Sequence, residues 1–456
     1  MSSNACNEFK VLSPTAILGY GFPIESFQRG LDRNPDLIAV DAGSTDPGPY
    51  YLGAGVSFTD RSAVKRDLRH MIKAGVARKI PVVIGTAGGC GAKPHLDWCK
   101  EIIEEIAREE KINFTLGIIP ADIDKQIIKQ KLANNKIVPL EYVHKLTDEL
   151  VDSSVNIVAQ MGTEPISIAL QEKCDVILTG RCYDPAVFAA LPIMKGFDKA
   201  LSLHCGKILE CAAIAATPGS GSDCALGTIT ADGFILEPLS DKREFTSYSA
   251  AAHTLYEKTD PYHLPGPGGR LNLEGCKFTE LAGGRVKVSG TTFEPTDEYF
   301  VKLEGCKLTG YRTISIAGLR DPIMIASIDE ILQQVKDQVQ VTLDEENIQG
   351  EIVTHLYGND GVMGALEPVK NPKGHERCLI IEAIAPTQQQ ANTVCGLFRS
   401  TLLHYGYEGR IATAGNLAFP YSPSDVKMGE MFEFSLYHLM QVDDPTELFP
   451  LTKIEL

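Results

Sequence analysis

The stretch "DLIAVDAG" at residues 36–43 decides the fold. Leu37 to Val40 are apolar without a break, and small residues and a turn follow. A strand with one wet face alternates apolar and polar residues, whereas one covered on both faces reads as a continuous apolar run. Similar runs occur at "TAILGYG" (15–21), "KIPVVIGTAG" (79–88), "INFTLGIIPA" (112–121), "VNIVAQMG" (155–162) and "DVILTGR" (175–181). Between them lie helical patterns such as "RSAVKRDLRHMIKAGVARK" and "HLDWCKEIIEEIAREEK". The second sets Leu96, Ile102, Ile103 and Ile106 along one side and acids along the other. Strands alternating with helices predict an α/β domain over 10–216: a Rossmann-like parallel sheet with helices on both faces.

Beyond "TPGSGSD" (217–223), a small, polar, turn-rich boundary, the texture changes. Gly, Pro and Thr become frequent, and short alternating runs appear, as in "GRVKVSG", "EYFVKLEG" and "GYRTISIAG". This predicts a C-terminal α+β domain over 224–456, mainly antiparallel, closing a cleft against the first.

At 456 residues, two domains are the default expectation. No apolar run approaches the roughly 20 residues that a spanning helix needs. The start, "MSSNACNEFK", lacks a basic n-region and an apolar h-region, so no secretory signal is expected. Twelve cysteines without paired spacing suit a reducing compartment, and the expected location is the cytoplasm. A net charge of −16 argues against binding nucleic acid or an anionic membrane, both of which need a basic face.

In an open parallel sheet, ligands bind where the carboxyl ends of the strands meet loops and helix N-termini. The loops expected there are "DAGSTDPGPYYLG" (41–53), "GTAGGCGAKPH" (85–95), "GTEP" (162–165) and "GRCYDP" (180–185). The first runs roughly 18 residues before a helix resumes, far longer than usual for such a connection. Glycines let backbone N–H groups approach an anion, so Gly88 and Gly89 are candidates to cradle a small anionic substrate, with His95 beside them. Ser44 and Thr45 are candidate orienting hydroxyls and Asp46 a candidate general base, while Asp41 is expected to shape the turn. Thr163 and Asp184, each near a following proline, read first as helix caps, with ligand contact, together with Glu164, as the alternative.

"HCGKILECAA" (204–213) reads as a helix with His204, Lys207 and Cys211 on one face. Lys207 and Glu210 could serve as charge stabiliser and acid–base group, with Arg181 as a second stabiliser. A surface ion pair is the plain alternative. Arg270, in the Gly/Pro-rich 249–273 segment, is suited to carboxylate capture. No zinc or calcium motif is present, though Asp41, Asp46, His95 or His204 could assemble a divalent-metal site in space. Asp41 lies 20 residues beyond Gly21, which suggests a dinucleotide fold, but Ile24 stands where GxGxxG needs its third glycine. A GxSxG nucleophile elbow is missing as well.

"GYGF", "DAGSTDPGPYYLG", "KRDL", "GTAGGCGAKPH", "QMGTEP", "GRCYDPAVFAA", "HCGKILEC", "HTLYEKTDPY", "GPGG", "VKLEG" and "GYRTISIAGLRDP" occur in that order. Together they resemble the acyclic terpene utilisation (AtuA-like) family over nearly the whole chain. The resemblance implies a place in a catabolic pathway that handles branched acyl-CoA intermediates. The expectation is therefore a cytosolic homo-oligomeric enzyme, a lyase or hydratase acting on a small carboxylate or branched acyl-CoA, with the CoA thioester as substrate and not cofactor. A nucleotide- or NAD-dependent enzyme and a non-catalytic binding subunit are the alternatives.

Overall fold

The computed structural model describes residues 8–45, 47–256, 259–370, 372–411 and 414–456. The chain divides into two compact units, one comprising residues up to Lys307 together with Phe434–Leu456, the other Leu308–Glu433.

The first unit is built on a mixed sheet. Its parallel centre consists of β1 (Glu8–Ser13), β2 (Leu37–Asp41), β3 (Val82–Gly85) and β4 (Thr115–Ile119), joined by β7 (Val176–Thr179) between β3 and β4. Two further strands, β5 (Ile137–Pro139) and β6 (Ser154–Ala159), lie outside this sheet. The centre is extended by antiparallel strands: Thr452–Glu455 beside β4, and β8 (Ala225–Thr230) beside β1, followed by β9 (Gly233–Pro238). The turn at 217–223 thus leads straight back into the sheet it was expected to leave.

Continuous apolar strands are buried on both faces, as their composition requires. Leu12, Ile38, Val40, Val82, Ile84, Leu116, Val176 and Leu178 form one core with helices Ile24–Asp32, Arg61–Arg78 and Lys93–Glu110. The intervening Val11, Ala39, Val83 and Ile177 are fully buried too, and helix Ala186–Met194 packs against β2 and β3. Each such side chain contributes roughly 1.5–3 kcal/mol by leaving water. Helix Arg61–Arg78 starts where Asp60 accepts the N–H of Ala63. Leu96, Ile102, Ile103 and Ile106 are buried, as their spacing predicts.

Two expected strands behave differently. Residues 15–21 form turns, and the strand is Glu8–Ser13 just before them. Gly19 and Gly21 have φ of +105° and +83°, and the buried Asp67 carboxylate accepts both of their N–H groups, which holds the segment as a loop. The strand in "VNIVAQMG" forms as β6 but pairs antiparallel with the Leu303–Lys307 part of the long strand Tyr299–Leu319. "EYFVKLEG" and "GYRTISIAG" therefore belong to one strand.

In the second unit, the later part of that strand pairs antiparallel with Arg377–Ala385, which pairs with Glu351–Tyr357. Helices Ile328–Glu345 and Gln388–His404 cover one face through Val335, Val339, Val394 and Phe398. No helix among the described residues is long and apolar enough to cross a membrane.

Candidate functional site

A cavity of about 610 Å³ lies at the carboxyl edge of the parallel strands. The loop after β1 supplies Ala16 and Ile17, the end of β2 supplies Asp41 and the loop after it Gly43 to Thr45, and the loop after β7 supplies Arg181, Tyr183 and Asp184. Glu210 and Cys211 enter just beyond helix Lys199–Leu209, His253 from helix Ser247–Leu255 and Tyr256 just after it. Gln160 and Lys302 complete the polar lining, with Ile214 and Pro265 among the apolar residues.

The floor is a buried charge network. Arg181 Nε donates to Glu304 Oε2 at 2.9 Å, and its Nη1 to Asp184 Oδ1 at 2.8 Å. Lys302 Nζ lies 2.8 Å from Glu304 Oε1 and 4.4 Å from the centre of the Tyr437 ring. Burial by itself would raise the Glu304 carboxyl, but Arg181 and Lys302 more than offset this and hold it at about 2. Asp184 spends its side chain on Arg181, and the helix that follows has no side-chain cap. The capping reading of Asp184 gives way to an ion pair inside the cavity wall.

Lys207 is buried, with Nζ 2.6 Å from Glu210 Oε1 and 4.3 Å from the centre of the Tyr256 ring. Burial would lower this lysine, yet Glu210 more than compensates, so the ammonium is retained. The two residues share one wall as their three-residue spacing implies, but as an interior pair and not a surface one.

Asp41 is 3 % exposed. Its Oδ2 accepts the Gly43 N–H, the turn expected of it, while Oδ1 has no hydrogen-bond partner among the described residues. Burial, then the nearby Asp184 charge, raise its carboxyl well above the ordinary range, with Arg181 opposing. A carboxyl so placed gives up its proton less readily than an exposed one. Gly85 leaves the space this needs, since a Cβ there would come within 2.9 Å of both Asp41 Oδ1 and Cys182 Sγ. His253 is 9 % exposed, and its Nε2 also has no partner among the described residues. Burial and the Lys207 charge lower it to about 4, so it is neutral. Burial pushes the Cys90, Cys182 and Cys211 thiols up to about 12, which makes them inert as nucleophiles.

Of the residues singled out from sequence, Ser44, Thr45, Arg181, Asp184, Glu210 and, behind the wall, Lys207 come together. Gly89 lines a smaller void with Ser44, Thr45, Cys90, Arg181 and Glu304, and its carbonyl accepts the Ser44 N–H at 3.2 Å. Gly88, at φ +61°, packs against His95, where a Cβ would lie 2.8 Å from that of the histidine. His95 is a loop fastener: Nε2 is 3.1 Å from the carbonyls of both Tyr51 and Val56. His204 lies in the core with Nδ1 2.7 Å from Thr291 Oγ1 and Nε2 3.0 Å from Thr254 Oγ1, and burial lowers it to about 3. Thr163 and Glu164 line a separate groove, where Glu164 accepts the Tyr299 hydroxyl. Arg270 sits on a half-exposed hairpin, paired with Glu294. Asp46 lies outside the described residues. Three or more metal-ligating side chains do not gather at any one point among the described residues.

Sequence reasoning gave Asp41 a turn, or a share in a metal or dinucleotide site, and did not nominate His253, Tyr256, Gln160, Lys302 or Glu304 as site residues. The motifs around Lys302 and His253 were visible, but not which loop each would face.

The fold and cavity define an α/β protein with a pocket lined by ionisable side chains at the carboxyl edge of a parallel sheet. A family model described as "Acyclic terpene utilisation family protein AtuA" matches residues 60–422, and the chain belongs to that family. "GYGF" and most of the 41–60 loop, Asp41 included, precede the matched residues. Comparison with curated proteins and with solved structures produced no match.

Proposed function

We propose that the chain is a lyase of the hydratase type, moving water on or off the carbon β to the carbonyl of a small carboxylate or branched acyl compound. The observation that carries this reading is Asp41: a buried carboxyl in the cavity wall, inclined to hold a proton and one oxygen short of a partner. In dehydration, Glu210 would take the proton α to the carbonyl while the C–H electron pair becomes the new double bond. The β C–O bond breaks, and Asp41 gives its proton to the departing hydroxide, which leaves as water.

The test offers crotonate and its N-acetylcysteamine thioester for hydration, and follows exchange of α protons of the 3-hydroxybutyryl pair in heavy water by NMR. Turnover of at least one pair is expected, and Asp41→Asn should lower it by about a hundredfold or more. Absence of both turnover and exchange overturns the reading. A loss under about tenfold in Asp41→Asn removes Asp41 from the mechanism.

A further inference from the structure

The cations at the cavity are already spent. Arg181 is held by Glu304 and Asp184, Lys302 by Glu304, and Lys207 by Glu210. The charges of these paired residues balance. A free carboxylate entering here would lose its water without meeting a spare cation among the described residues, and burying an uncompensated charge is costly. Two side chains of the wall keep a polar atom with unused hydrogen-bonding capacity instead. Asp41 Oδ1 and His253 Nε2 are both buried and without partners among the described residues, and their side chains line the same cavity. A polar group buried unpaired costs free energy that a ligand's hydrogen bond restores. The neutral imidazole Nε2 can donate to a carbonyl or accept from a hydroxyl, according to tautomer. Ala16, Ile17, Ile214 and Pro265 leave an apolar part of the wall for an alkyl substituent.

We infer that the cavity selects a hydroxyacyl compound whose carbonyl is uncharged, an ester or thioester, and that His253 is a second substrate-contacting group beside Asp41. This rests on the hydratase reading for the hydroxyl at Asp41, and it chooses between the two substrate forms that reading leaves open.

The test measures affinity by calorimetry on the full chain, using 3-hydroxybutyrate and its neutral N-acetylcysteamine thioester. The thioester should bind at least about tenfold more tightly. His253→Phe should weaken thioester binding by about tenfold, whereas His253→Gln, which restores a polar atom near Nε2, should stay within about threefold of the wild type. The inference is overturned if the free acid binds equally or better, if neither probe binds, if His253→Phe costs nothing, or if the two variants lose affinity alike. Selective binding of the thioester without turnover would sink the hydratase reading and leave this one standing. Turnover with equal affinity for the two probes would do the reverse.

Discussion

Two trios of similar make-up occur in different parts of the molecule. In the first unit, Glu304 joins Arg181 and Lys302; in the second, Glu382 joins Arg312 at 2.6 Å and His355 at 3.1 Å. Each is a glutamate on a strand holding two basic side chains. The side chains of Arg181 and Glu304 are 6 % and 3 % exposed, whereas Arg312 and His355 are 38 % and 40 % exposed. Water screens the second trio more strongly and takes more of its Coulomb energy; in the first only Lys302, at 23 %, is partly open to it. The buried trio therefore has to be complete, since each member compensates the desolvation of another. That makes it a rigid floor for a cavity, while the exposed trio decorates a sheet face.

The sharpest way to break this comparison is to remove each glutamate in turn. Glu304→Gln leaves Lys302 without its carboxylate and Arg181 with Asp184 alone, and should cost about 3–5 kcal/mol in urea unfolding. Glu382→Gln should cost no more than about 1 kcal/mol. Equal costs would mean that burial does not separate the two.

Acid sharpens it next. His253 is lowered to about 4 in the folded chain, against roughly 6.5 when unfolded. The unfolded state then binds the proton first, so stability present above pH 6.5 is lost as the pH falls through about 4. The melting temperature of wild type should fall more steeply than that of His253→Gln across this window. His204, lowered to about 3, contributes in the same direction in both proteins. Parallel curves would show that His253 is not buried in its neutral form.

The smallest effect is expected at Arg270. Its pair with Glu294 lies on a half-exposed hairpin, so Arg270→Ala should change thioester affinity by less than about twofold. A larger loss would bring this hairpin into the site.

The address of the cavity was legible before the structure. Strands covered on both faces need unbroken apolar runs, and a parallel sheet collects its loops at one edge, so 41–45 and 181–184 were expected to converge there. The partners were not legible. Arg181 finds Glu304 across 123 residues through the antiparallel pairing of β6, a strand whose sequence matches those of the parallel sheet. Two histidines also exchanged roles: His204, nominated beside Lys207, has both ring nitrogens taken by threonines, while His253 lines the cavity.

By itself, the sequence determined the strand–helix alternation, the family and the chemical types available at one sheet edge, because hydrophobic pattern and turn chemistry are local properties. Tertiary structure alone decided which acid is buried without a cation of its own, which cations are neutralised and which histidine lines the cavity. Those outcomes depend on desolvation and on charges brought close from distant segments, and neither belongs to a residue until the chain has folded around it.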